Sequence, residues 1–193
     1  MRIESGAELQ RRVLCNQAVA AVWGAWSALR LPECWLVAGC LTQTVWNARF
    51  GLPPAHGISD LDLVYFDPTD LTETGERAHA DRIRALLPAI DIRINVKNEA
   101  RVHLWYEGKF GKPICPYRSV PEAIDTFPTT ATAIGLRPAG TGSEIYAPFG
   151  LEDLFDAVVR PNKRQVTRDV YEAKVARWRA FWPGLSVVGW DET

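Results

Sequence analysis

Residues 58–67 read Ile58-Ser59-Asp60-Leu61-Asp62-Leu63-Val64-Tyr65-Phe66-Asp67. From Asp60 to Phe66 this is a strongly apolar strand that carries two acids near its start. Side chains at i and i+2 of a strand point to the same face, so Asp60 and Asp62 stand side by side. A carboxylate at the edge of an apolar strand is costly unless it is paired or bound to a cation. The pair is therefore a candidate site as well as a marker of the sheet.

Behind it, Cys34 to Ala38 is a short apolar run and reads as a buried strand. Gly39 ends it, and a helix is expected over Thr42 to Phe50 with Gly51 as its stop. The prolines of 52–59 make that stretch a loop. A long helix is expected over residues 7–30, where Leu9, Val13, Ala18, Val22, Trp26 and Leu29 recur at helical spacing before Pro32. Ahead of the pair, 75–87 reads as helix. Ile90, Ile92, Ile94 and Val96 then alternate with Asp91, Arg93, Asn95 and Lys97, a strand with one buried face. Asn98 to Glu107 is expected as a helix capped by Asn98. Residues 130–137 and 144–147 flank a Pro/Gly-rich turn as a hairpin. Residues 151–159 and 168–181 read as helices, with Trp178 and Trp182 on one core-facing stripe. The order predicts an α/β (α+β) fold, a mixed sheet flanked by helices with a helical C-terminal extension. One domain is expected over 1–193: an N-terminal helix in 1–33, a core in 34–118, and a hairpin and helical part in 119–193.

Composition narrows the function. With 47% hydrophobic and 23% charged residues the chain is ordinary globular material. A formal charge of -1 argues against a dedicated nucleic-acid coat or a membrane-surface binder. No apolar run is long enough for a transmembrane helix. The polar N-terminus does not resemble a secretory signal. Cys15, Cys34, Cys40 and Cys115 contain no CxxC pair and read as reduced thiols, so a cytoplasmic location is expected.

Three carboxylates on neighbouring strands, Asp60, Asp62 and Asp91, could hold one or two Mg²⁺ ions, with Mn²⁺ as the substitute. Two such ions about 3.5–4 Å apart clamp the attacking and leaving oxygens of a phosphoryl or nucleotidyl transfer. Gly39 and Cys40 sit where the strand meets the next helix. There glycine admits a phosphate and the helix start offers free N–H groups. Asn98 and Arg101 could reach a triphosphate or a base. Trp105 and Tyr106 read as packing, with stacking on a base as the alternative, and His103 reads as a hydrogen-bonded structural residue. From Arg160 to Arg179 seven basic residues face only Asp169 and Glu172, a stretch that suits polyphosphate or nucleic acid. Carboxylate clusters also serve phosphohydrolases, but His56 and His103 lack metal-ligand spacing.

Gly39 followed by Asp60-Leu61-Asp62 resembles the signature of polymerase-beta-type nucleotidyltransferases. The chain is similar to an uncharacterised bacterial nucleotidyltransferase-like group in that superfamily. The stretches that carry the likeness are VAGCLTQTVWN (37–47), ISDLDLVYFD (58–67), NEARVHLWY (98–106), YAPFGLEDLFDAVVRPN (146–162) and YEAKVARW (171–178). The resemblance implies that fold, metal ligation by Asp60 and Asp62, a phosphate loop at Gly39, an NTP substrate, and a small-molecule, protein or RNA acceptor. Three features depart from it. Cys40 stands where Ser or Gly is usual. A gap of 19 residues separates Cys40 from Asp60 and is absorbed by the 51–59 loop, which could shape the acceptor site. The third acid is contested: Asp91 is taken for it, while Asn95 shares its face and lies nearer the NEARVH stretch. If Asn95 holds the place, the base for the acceptor hydroxyl is missing, and a nucleotide-binding module without turnover becomes the alternative.

Overall fold

The computed structural model describes residues 2–192, with side chains from Gly6 onward. Local sequence sets the first break. The helix expected over 7–30 is three: α1 (Arg2–Val13), α2 (Gln17–Gly24) and α3 (Trp26–Leu29). Asn16 ends the continuity, because its side-chain Oδ1 accepts from the Ala18 N–H at 2.9 Å. Its amide donates to Thr44 Oγ1 (3.1 Å) and the Pro54 carbonyl (3.3 Å), tertiary partners that local periodicity does not register.

Strand β1 (Trp35–Val37) passes at once into α4 (Gly39–Arg49), three residues earlier than the reading placed the helix. Ala38 makes the corner with φ +61°, a conformation strained for an L side chain. Its N–H is tied to the Ile134 carbonyl at 3.0 Å. The unusual backbone thus falls on Ala38, and Gly39 is simply the first helical residue. Every residue from Cys40 to Asn47 is buried. Such a helix runs through the interior, so its polar residues must find partners inside. Thr42 donates to the Ala131 carbonyl (2.8 Å), and Asn47 donates to the carbonyls of Pro54 (3.0 Å) and His56 (2.9 Å).

Strand β2 (Asp60–Tyr65) follows, then α5 (Glu73–Leu86) and β3 (Arg93–Asn98). A 3₁₀ turn over Glu99–Arg101 leads into α6 (His103–Phe110), then α7 (Val120–Ile124), the hairpin β4 (Gly135–Ala139) and β5 (Gly142–Tyr146), and α8 (Glu152–Phe155). The helix expected over 151–159 is only that single α8 turn. It gives way to β6 (Val158–Val159), which pairs in parallel with β7 (Ser186–Val187) after α9 (Arg168–Phe181). The five-stranded mixed sheet runs β3-β2-β1-β4-β5, with β2–β3 parallel and the other pairs antiparallel.

The two faces of the sheet differ. Leu36, Leu61, Leu63, Tyr65, Ile94, Val96 and Leu136 belong to the large core. Trp35, Val37 and Val64 of the other face pack with Val120 and Ile124 of α7 in a smaller cluster. That second cluster covers only part of its face. The uncovered remainder carries Asp60, Asp62, Arg93, Asn95 and Lys97, the polar positions of β2 and β3. On the core side, Trp46 of α4 meets Trp178 and Trp182 edge-on, both with centroids at 5.6 Å. The indole stripe of α9 is core, as its spacing predicts.

Candidate active site

Parallel register fixes the site: Asp60 lies opposite Arg93, and Asp62 opposite Asn95. The Asn95 amide donates to Asp62 Oδ1 at 2.9 Å and to Asp60 Oδ2 at 3.2 Å. Asp60 also accepts from Ser59 Oγ (3.1 Å) and pairs with Arg93 (3.2 Å). Burial pushes the Asp62 carboxyl up from its usual range; the Asn95 hydrogen bond opposes this and the Asp60 charge adds to it. Two neighbouring carboxylates, one of them largely desolvated, form an electrostatic arrangement that a cation relieves.

The assignment of Asp91 as third acid is corrected by this register. Asp91 is exposed and stands two residues ahead of β3, while Asn95 bridges the acid pair. Asp91 and Asn95 have the same parity, so alternation alone cannot separate them. Among the described residues no three His, Cys, Asp or Glu side chains form a metal-holding group.

The expected nucleotide contacts also divide. Gly39 opens α4, whose first-turn N–H groups lack helical partners. Cys40 is buried in the core. Burial, then the charges of Asp62 and Asp60, push its thiol up to about 12, so it stays a protonated, inward-facing group. Asn98 and Arg101 are structural rather than ligand-facing. Asn98 is fully buried, accepts from Asp67 N and Ala100 N, and donates to the carbonyls of Asp67 (2.8 Å) and Asp70 (2.9 Å). Arg101 is buried against Glu76 (3.2 Å) and the Leu71 carbonyl (3.2 Å). Asn98 does cap the turn after β3, as its position predicts.

From Asp62 a cleft of about 970 Å³ opens over Arg93, Asn95 and Lys97. Its walls come from α6 (Trp105, Tyr106, Lys109, Phe110), the 112–128 segment and α9 (Asp169, Val170, Ala173, Lys174, Arg177). Trp105 and Tyr106 thus face the cleft. No residue of 51–59 lines it, so that loop does not shape it; Asn47 and the Trp182 end of α9 hold the loop elsewhere. Six cations (Arg93, Lys97, Lys109, Lys112, Lys174, Arg177) outnumber three acids (Asp62, Glu99, Asp169) in the lining.

Glu99 is the residue the sequence reading passed over. Its signal was available: the 93, 95, 97 alternation carried one step further reaches it. Glu99 is buried, and burial first, then the charges of Glu76 and Asp62, raise its carboxyl to about 8, against the pull of Lys97. At neutral pH it is mainly a neutral acid. Lys97 is held at the cleft floor by the buried Glu76 (2.9 Å). The basic stretch 160–179 splits by environment. Arg160, Arg164 and Arg168 pair with Asp153, Asp125 and Glu172, whereas Lys174 and Arg177 turn into the cleft. His103 keeps a buried Nδ1 that makes no hydrogen bond.

A mixed sheet with an acid-x-acid strand beside a strand-to-helix corner is the arrangement of the nucleotidyltransferase class. A sequence profile of a family described as nucleotidyltransferase matches residues 24–187, and the chain belongs to that family. A solved structure described as revealing a CCA-adding enzyme head domain is similar in fold, with a TM-score of 0.73, 24% identity and 89% of each chain covered. No curated protein matches the chain. Among the described residues no helix is long and apolar enough to cross a membrane.

Proposed function

We propose that the protein transfers a nucleoside monophosphate from an NTP to an acceptor hydroxyl in a Mg²⁺-dependent reaction. The observation that carries this reading is the acid pair on the open face of β2, one strand from the α4 corner. Mg²⁺ is bound by one or two carboxylates together with substrate phosphates. Asp60 and Asp62 fit that requirement, and the desolvation of Asp62 beside a like charge favours a cation there. The ion would supply charge neutralisation for the reacting phosphate oxygens.

The chain's own residues do the positioning. Asn95 fixes both carboxylates in one orientation through its two hydrogen bonds. Arg93 holds Asp60 from the solvent side. The first turn of α4 presents backbone N–H groups and a positive dipole end to the triphosphate. Cleft walls exclude water and orient the acceptor, so catalysis rests on positioning and electrostatics. Calorimetric titration of each NTP with Mg²⁺ tests this. Binding to wild type, abolished in Asp60→Ala/Asp62→Ala, is expected. Failure of every NTP to bind overturns the reading.

Asn95 favours a second reading, a nucleotide-binding module without turnover, because an amide cannot accept the acceptor's proton. The Asn95→Asp protein separates the two. If a missing base is the defect, a pyrophosphate-release assay should show a gain of about 10²-fold. If Asn95 is the working residue of an active enzyme, the added negative charge should lower the rate instead.

A further inference from the structure

The cations of the cleft fall into two groups. Arg93 is spent on Asp60, Lys97 on Glu76 and Lys112 on the Gln165 carbonyl. Lys109, Lys174 and Arg177 have no ion pair and no hydrogen bond among the described residues. Lys109 lies over the rings of Trp105 (5.6 Å) and Phe110 (5.2 Å), and Lys174 over Trp178 (5.7 Å). Just upstream, Arg160, Arg164 and Arg168 are all paired. Three cations without an ion pair thus line one concave surface.

Such a gathering is unfavourable by itself. Half-buried Lys174 has its ammonium pushed below its usual range, chiefly by burial and then by Arg177; the charges of Asp62 and Asp60 oppose this, and Lys109 adds a smaller push. An anion between α6 and α9 relieves both costs.

Place decides which anion. Asp62 has Val37 of β1 as its register partner on one side and Asn95 of β3 on the other. β1 leads to the α4 corner, where the donor triphosphate is proposed to lie. Asn95 lies on the cleft floor, and the lining takes nothing from α4. The cation cluster is thus on the side of Asp62 away from the donor's phosphates.

We propose that Lys109, Lys174 and Arg177 form the recognition site for a phosphate group on the acceptor, so that the second substrate is a phosphorylated molecule with a free hydroxyl. This rests on the nucleotidyl-transfer reading above. With the phosphate held on that wall, the hydroxyl points back toward the acid pair. Its oxygen bonds to the α-phosphorus of the NTP, the bond from that phosphorus to the β-bridging oxygen breaks, pyrophosphate leaves, and the hydroxyl proton passes to solvent.

The test uses inorganic phosphate as the probe. It is titrated calorimetrically into the full chain with Mg²⁺ and a saturating non-hydrolysable analogue of the NTP that binds best. Phosphate is expected to bind with the analogue in place. Lys109→Ala/Lys174→Ala/Arg177→Ala should weaken phosphate about tenfold or more while changing analogue affinity less than about twofold. Because the triple variant removes repulsion, its melting temperature should not fall. If it does, Lys174→Gln carries the test, with a loss of about threefold. Phosphate that is displaced by the analogue, with analogue affinity lost in the variant, would mean that these cations grip the donor; the proposal then fails and the transferase reading stands. Absence of phosphate binding to the analogue-loaded protein also overturns the proposal alone. If the analogue does not bind wild type, the transferase reading falls and takes the acceptor site with it.

Discussion

Asp62→Asn is expected to melt at a higher temperature than wild type and to release pyrophosphate at no more than about 10⁻³ of its rate. The two effects have one cause. Asp62 is half-buried beside Asp60, and its desolvation raises its carboxyl above the usual range. The folded apoprotein thus holds a charge that water would stabilise better. An amide of nearly the same shape removes that charge, and its oxygen can still accept from Asn95. A rise in melting temperature of a few °C is expected, the size of a typical single-site effect in a chain of this length. What is lost is the negative charge that a divalent cation needs. Scanning calorimetry in chelator, beside a pyrophosphate-release assay, reads both. A fall in melting temperature would show instead that the Asp62 carboxylate is a structural acceptor, and the acid pair would lose its standing as a site.

Asn47→Ala should be the most destabilising change outside the apolar core, costing about 3 kcal/mol. Asn47 is fully buried. Its amide holds the carbonyls of Pro54 and His56, and its oxygen accepts from Trp182 Nε1 at 2.7 Å. Alanine leaves one buried donor and two carbonyls without this partner. It also frees the loop that Gly57 packs closely against Trp182. The melting temperature should drop by about 6–12 °C. Because neither the loop nor Asn47 lines the cleft, nucleotide affinity measured well below the transition should stay within about twofold of wild type. A stability change under about 1 kcal/mol in urea titration would show that water replaces these bonds, and the loop would then be only loosely held.

Local signals carried much of the fold. The apolar runs of β1 and β2 stand where their patterns put them; the hairpin forms too, but from Gly135 onward, because 130–132 is a 3₁₀ turn, and Pro138 and Gly142 lie in its strands rather than in its turn. Helix α9 begins and ends at Arg168 and Phe181, as read. These elements are set by period and by turn residues, which a chain displays without reference to distant neighbours. The N-terminal helix was over-extended because Asn16 gains its capping geometry together with partners at Thr44 and Pro54, and α8 because a single turn yields to pairing with β7.

The site divides along the same line. The acid pair was legible, since i and i+2 on a strand share a face whatever the strand packs against. Asn98 and Arg101 were misassigned because polar side chains look alike in sequence whether they meet ligand or carbonyl; only burial against Asp67, Asp70 and Glu76 tells them apart. Glu99, Lys109 and Lys174 lie in three separate elements, and only their packing brings them to one cleft. By itself, then, the sequence determined β1, β2 and α9, the face on which Asp60 and Asp62 sit, and the family resemblance. Tertiary structure alone decided that Asn95, rather than Asp91, stands beside them. Parity is a local property, whereas the register of two parallel strands joined across α5 depends on how that helix and the core behind it pack.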